Sequence, residues 1–179
     1  MGRMAELMRT RVLVFHPDLQ SSTVNKALAQ EAQNNPELEV VDMYSRYPDF
    51  NIDVKTEQEA LEPVDRIVLQ FPVCWYSVPP LLKKWFDDVL TYGWAYGSQG
   101  TALRGKELLI AAGFGAGEDA YRGDAGYTAE QLFAPLHQTS NFIGTTWLDP
   151  FVMYGTTGIE QQRLEDYVSA YVRILSDIK

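Results

Sequence analysis

The chain has 179 residues, 46% of them hydrophobic and 22% charged, which fits one folded domain and argues against disorder. Its 24 acidic and 15 basic residues give a net charge of −9, which argues against nucleic acid or an anionic membrane as partner, since both need concentrated Lys and Arg. The single cysteine, Cys74, rules out an internal disulfide, and no apolar run approaches the ~18 residues of a membrane span, so a cytoplasmic protein without direct membrane insertion is expected.

Residues 1–10 read as an N-terminal tail without a hydrophobic signal core, and 11–179 as a single domain. Arg11 to Phe15 is a β-branched run ending at His16-Pro17, the mark of a first buried strand. A polar loop from Asp18 to Thr23 leads into a helix over 24–34, with Ser22 or Thr23 as N-cap and Leu28 and Ala32 on the inner face. Pro36 breaks that helix, and Leu38 to Val41 gives a second strand. Residues 44–51 are irregular, and 54–61 form a short helix.

Ile67 to Phe71 is a continuous apolar run that stops at Pro72, as a buried strand does when a residue without an N–H arrives. Val73 to Ser77 is a short loop carrying two large aromatics. Pro79-Pro80 then opens a helix whose Leu81, Leu82, Trp85, Phe86 and Val89 share one face. A glycine-punctuated loop over 94–100 precedes a strand at 108–112, which ends in Gly113-Phe114-Gly115-Ala116-Gly117. A helix over 129–140, a late strand at 145–147 stopped by Pro150, and a final helix over 159–178 complete the chain. Continuous apolar strands alternating with amphipathic helices predict an α/β fold. It is a doubly wound, five-stranded parallel sheet with helices on both faces.

Open α/β sheets hold ligands beyond the carboxyl ends of their strands, and three loops here leave from those ends. The first carries His16 and the Ser22-Thr23-Val24-Asn25 segment at a helix N-terminus. Hydroxyls and free amides there suit a phosphate monoester, and a plain hydroxyl cap is the alternative. His16 reads as a satisfied core histidine or, alternatively, as a phosphate donor. The second loop, with Trp75 and Tyr76, presents flat apolar surface where a simple turn would use Gly, Asn or Asp. In the third, glycines either let amides approach a ligand or merely turn the chain. A phosphate end and a flat end together describe a flavin mononucleotide.

Other motifs lead nowhere. Gly100 to Lys106 mimics a P-loop, but Glu107 replaces the metal-binding hydroxyl and a strand follows. Two histidines and one cysteine make no metal cluster, so no metal is expected. A Cys74–His137 nucleophile pair is disfavoured because an apolar aromatic loop raises a thiol pKa. Asp87-Asp88 reads as a solvated helix face.

These residues resemble the flavodoxin-like NAD(P)H:quinone oxidoreductases, the group containing DT-diaphorase. The likeness is greatest to a short bacterial branch of potassium-efflux ancillary proteins and general stress oxidoreductases. Its carriers are His16-Pro17 with Ser22 to Asn25, Tyr47 to Asp53, Gln70 to Lys83, Gly93-Trp94-Ala95-Tyr96-Gly97, and Gly113 to Glu118. The resemblance implies FMN as cofactor, NAD(P)H as reductant, and two-electron hydride transfer to a quinone or similar aromatic acceptor in ping-pong order. FMN is expected over FAD because little chain remains before Lys179 to embrace an adenosine half. It assigns the flavin phosphate to His16, Ser22, Thr23, Val24 and Asn25, and the ring edge to Val73, Cys74, Trp75 and Tyr76. Gly113, Phe114, Gly115 and Ala116 stand where the family has Thr-Thr-Gly-Gly, which keeps amides and removes two hydroxyls. Tyr96 matches an aromatic that caps the substrate pocket, and Tyr121 matches a catalytic tyrosine. The family's pocket histidine is missing, leaving Tyr127 or water to handle a proton. The family also implies a homodimer with the pocket at its interface. The alternative it offers is a regulatory subunit of a glutathione-gated potassium efflux transporter with little turnover, docking through 44–53.

Overall fold

Ile67-Val68-Leu69 carries no charge and no polar atom beyond its backbone, so it is stable only where both faces are covered. In the computed structural model, which describes residues 8–176, it forms the middle of strand β3 (Arg66–Pro72). β1 (Thr10–Val14) and β4 (Glu107–Gly113) flank it in parallel, with Leu13 and Ile110 on either side of Leu69. β2 (Leu38–Asp42) lies outside β1. The other edge is split between β5 (Thr146–Trp147) and β6 (Phe151–Met153), both parallel to β4. The order β2-β1-β3-β4-β5 is the expected five-stranded sheet, and β6 is an addition to it. The split follows from Pro150, which has no N–H to give a ladder.

Alternation along β3 sorts the two cores. Ile67, Leu69 and Phe71 pack with Leu81, Leu82 and Trp85 of α4 (Pro80–Val89). On the other face Val68 packs with Leu28 and Ala32 of α1 (Val24–Gln33) and with Tyr171 and Leu175 of α7 (Gln161–Ser176). The expected residues 177–178 of the last helix, and 1–7 of the tail, lie outside the described residues. The strand itself begins at Thr10.

Two expectations are corrected. The segment 44–51 is not wholly irregular, because Asp42 accepts from Ser45 N (3.2 Å) and Ser45 Oγ (2.6 Å) and caps a single helical turn, α2 (Met43–Arg46). The helix expected over 129–140 is two, α5 (Ala129–Leu132) and α6 (Ala134–Ile143). Pro135 cannot donate to the carbonyl four residues back and its ring crowds that carbonyl, so the first helix ends before Phe133. By contrast α3 (Val54–Leu61) has the expected bounds, with Asp53 accepting from Thr56 N at 3.0 Å as its cap.

Parallel register brings the strand ends to one edge, Pro72 beside Gly113 and Gly113 beside Met153. Phe15 N donates to Gln70 O at 2.8 Å, so the loop after β1 leaves from the same edge.

Candidate flavin site

The first loop supports itself through polar contacts. Asp18 N donates to His16 Nδ1 (3.1 Å), and Asp18 accepts from Ser21 N (3.3 Å). The bond to Nδ1 leaves His16 Nε2–H for whatever lies outside. Burial lowers the His16 pKa, opposed by Asp18 and Asp42, so the ring is neutral at pH 7. Ser22 Oγ accepts from Asn25 N at 3.1 Å and is the side chain that caps α1; Thr23 makes no cap bond. Among the described residues the amides of Thr23, Val24 and Lys26 have no acceptor, so the hydroxyl cap and the open helix end coexist. A cavity of ≈ 370 Å³ opens on the His16 side of this loop, lined by His16, Asp18, Gln20, Asp42, Tyr44 and Pro48.

The second loop is strained. Cys74 and Ser77 exchange backbone bonds of 2.9 Å each, and the two residues between them, Trp75 and Tyr76, have φ of 46° and 63°. Hairpins reserve that left-handed pair for Asn-Gly, and each bulky residue held there costs about 1–3 kcal/mol. The rings gain no burial in return: Trp75 is 92% exposed and Tyr76 62%. Their amides also find no acceptor among the described residues. Cys74 Sγ contacts Pro72 O at 3.6 Å, and burial pushes its thiol pKa up. Among the described residues it makes no contact with His137, whose ring stacks on Trp147 at 4.8 Å.

The third loop is aimed from behind. Val73 N donates to Gly113 O (2.8 Å), joining it to the second. The carbonyls of Phe114, Gly115 and Ala116 accept from Thr156 N (3.0 Å), Thr157 N (3.3 Å) and Gly155 N (2.7 Å). With its carbonyls taken by that supporting loop, the amides of Gly115, Ala116 and Gly117 are left without an acceptor among the described residues. A Cβ at Gly115 would stand 2.9 Å from Thr157 Oγ1, so glycine is what lets the two loops meet. The Phe114 side chain belongs to the core: it is fully buried, stacked on Tyr154 at 5.3 Å, and only its backbone lines the edge.

The three tyrosines singled out for chemistry are not together. Tyr121 packs on Phe114 (4.5 Å) and Tyr154 (5.6 Å), and burial, then the nearby Tyr76, raise its pKa. Tyr127 is 70% exposed on the following turn. Tyr96 pairs instead with Tyr92 (5.8 Å) and Phe142 of α6 (5.2 Å), and has no ring contact with Tyr121 among the described residues. Its turn requires Gly100, where a Cβ would lie 2.0 Å from Tyr96 O.

Three contributors escaped the sequence reading. Tyr44 lines the first-loop cavity and accepts from Leu81 N (3.3 Å) at the start of α4, which bridges the first two loops. Thr156 and Thr157 support the third loop, and the glycines at 155 and 158 bracketing them were the available signal. The segment 44–53 is anchored at Tyr47 and Ile52, which are buried, while most of its other residues are exposed: Tyr47 OH donates to the buried Glu57 at 2.7 Å, and Trp85 Nε1 reaches the same carboxylate at 3.2 Å. Among the described residues no three His, Cys, Asp or Glu side chains converge as a metal site, and no helix is long and apolar enough to cross a membrane.

The carboxyl edge thus carries neutral donors at one end, flat exposed rings in the middle and unpaired amides at the other. The chain has relatives among known proteins. The family model described as flavodoxin-like fold matches residues 8–175. General stress protein 14 of Bacillus subtilis is 50% identical over 150 residues, 83% of this chain and 86% of that protein. The uncharacterised NAD(P)H oxidoreductase YrkL of the same organism is 45% identical over 172 residues, covering 91% and 99%.

Among solved structures, a thermophilic tryptophan halogenase from Streptomycin violaceusniger superimposes with TM-score 0.91 at 47% identity, covering 94% and 99%. General stress protein 14 of Treponema denticola, in complex with FMN, gives 0.89 at 35%, covering 93% and 97%. An NADPH-quinone reductase from P. pentosaceus gives 0.86 at 28%, covering 96% and 100%. The chain belongs to the flavodoxin-like NAD(P)H oxidoreductase family.

Proposed function

We propose that this chain binds FMN along the carboxyl edge of its sheet and carries electrons from NAD(P)H to a quinone or similar flat acceptor. It is an oxidoreductase of the flavodoxin-like family, and relatives of similar length carry the names NAD(P)H oxidoreductase and NADPH-quinone reductase. The observation that carries the reading is the strained, exposed Trp75-Tyr76 corner, since a fold keeps such a corner only for something that covers it.

The donors present fit FMN. Ser22, Thr23, the open amide of Val24, Asn25 and His16 Nε2–H suit its phosphate. Val73 to Tyr76 suit the edge of its ring, and the amides around Gly115 and Ala116 its pyrimidine end. When bound, FMN supplies the two-electron hydride chemistry, and the protein supplies position and exclusion of water. Tyr121, with its raised pKa, holds its proton at neutral pH and packs on Phe114 of the third loop, while Tyr127 is exposed on the next turn. One flat surface used in turn by reductant and acceptor gives ping-pong order.

We place Tyr96 in the pocket of a second copy. Tyr92 and Phe142 are 73% and 64% exposed beside it, and an apolar groove of ≈ 340 Å³ runs between α4 and α6. A homodimer would cover both and bring Tyr96 to the partner's acceptor. The cytoplasm, where NAD(P)H is available, is the expected compartment.

The visible spectrum of the purified protein, with its heat-released cofactor identified by chromatography, tests the reading. FMN bleached by NAD(P)H and restored by menadione is the expected result. Failure to take up added FMN overturns it. Halogenated tryptophan formed from tryptophan, halide and dioxygen with reduced flavin would favour the chemistry named for the halogenase neighbour instead.

A further inference from the structure

Three buried polar side chains on three different elements form one line along the face of the sheet that α1 and α7 cover. Tyr171, fully buried on α7, lies 3.1 Å through its hydroxyl from Gln70 Oε1. Gln70, fully buried on β3, donates through Nε2 to Asn25 O (2.9 Å) and Asn25 Oδ1 (3.3 Å) in the first turn of α1. The directions are set by chemistry. A backbone carbonyl only accepts, so the Gln70 atom facing Asn25 O is its nitrogen, its oxygen faces Tyr171, and the phenol is the donor. With Asn25 Oδ1 held by Gln70, Asn25 Nδ2 is turned the other way. That nitrogen makes no hydrogen bond among the described residues and is not among the fully buried atoms without partners. It is a donor presented beside Ser22 and the open amides of α1.

We infer that Tyr171 is a positioning residue for phosphate recognition: through Gln70 it fixes the amide of Asn25 so that Nδ2–H faces the phosphate. The inference rests on the FMN reading above. Donors in series polarise one another, so removing the first loosens the last although Tyr171 lies on the last helix, which packs beside α1 on the same face of the sheet. A simple core tyrosine needs no such line. The stack of Tyr171 on Phe151, at 5.4 Å and 24°, already accounts for its packing.

Flavin-free protein is titrated with FMN and with riboflavin, which differ only by the phosphate, following flavin fluorescence. Tyr171→Phe keeps the stack and removes the hydroxyl. It is expected to weaken FMN about tenfold while riboflavin changes by less than about twofold. Asn25→Ala is expected to do the same, and the double variant to add almost nothing, because one residue acts through the other. Equal weakening of FMN and riboflavin, or effects that multiply in the double variant, would overturn the inference and leave Tyr171 a structural residue. A wild-type protein that binds FMN no better than riboflavin would instead sink the phosphate reading of α1, and this inference with it. Thermal melts of each variant separate loss of fold from loss of grip.

Discussion

The two ends of the sheet treat their polar groups in opposite ways. At the amino ends several polar groups are paired within the chain, although the buried Arg11 Nε has no hydrogen-bond partner among the described residues. Arg66 Nε meets Glu107 Oε2 at 2.7 Å and its Nη1 donates to Ile174 O at 3.0 Å. Arg9 N donates to Asp65 (2.8 Å), and Lys106 Nζ to Glu62 O (2.8 Å) and Val64 O (2.5 Å). The side chains are held, and no bulky residue there adopts a left-handed backbone. At the carboxyl ends the amides of residues 75, 76 and 115–117 have no acceptor among the described residues, and two aromatic residues sit strained in water. Folding alone would select the first pattern at both ends. The second is what a binding edge looks like while its hydrogen bonds are still on offer.

That contrast breaks if a change at the amino end alters binding. Arg66→Met leaves Glu107, largely buried, without its partner, and should lower the free energy of unfolding by about 3 kcal/mol in a urea titration. The FMN dissociation constant of the folded fraction should not move, and a shift there would mean that the two ends are coupled. Trp75→Gly makes the opposite case. Glycine accepts φ of 46° without strain, so the flavin-free protein should gain about 1 kcal/mol while FMN binding weakens about tenfold. Unchanged FMN affinity would mean that the ring lies elsewhere.

The third loop sharpens the comparison further. Thr156 Oγ1 donates to Phe114 O at 3.1 Å, and Thr156→Val keeps the volume while removing that bond. A stability loss of about 1 kcal/mol is expected from calorimetry. FMN and riboflavin should weaken by the same factor, since the loop's amides are assigned to the ring. Weakening confined to FMN would move the assignment to the phosphate.

Legibility followed how local each cause is. β3 and α4 were readable because strands covered on both faces are continuously apolar and helices repeat their buried face, as Leu81, Leu82, Trp85 and Val89 do. The bounds of α3 were readable because its cap, Asp53, is one residue away. The break at Phe133 was also local, and Pro135 announced it. β6 was hidden because three residues after a proline have no period to detect. The backbone of Trp75 and Tyr76 was beyond reach, since nothing in a bulky aromatic signals a left-handed φ; only the surrounding chain imposes it. The line from Tyr171 to Asn25 joins residues 146 positions apart, and only the fold brings them into register.

The smallest expected effect is a pH dependence at His16. Burial holds its folded pKa below the ordinary 6.5, with Asp18 and Asp42 opposing, so the folded chain resists a proton that the unfolded chain accepts. Above about pH 7 both states are neutral there and the residue contributes no slope. As the pH falls through 6.5 the unfolded state binds more protons and the flavin-free protein loses stability; the loss levels off once the pH passes below the folded value. His16→Asn removes this component and leaves that of the carboxylates. Urea midpoints of the two proteins between about pH 5 and 7.5 should therefore diverge on the acid side, the wild type falling faster. Parallel curves would mean that the imidazole is as free to protonate in the folded loop as in the open chain. The Nε2–H donor assigned to the phosphate would then turn into an imidazolium as the pH falls below about 6.5, and the first loop would gain charge there that the burial of His16 otherwise resists.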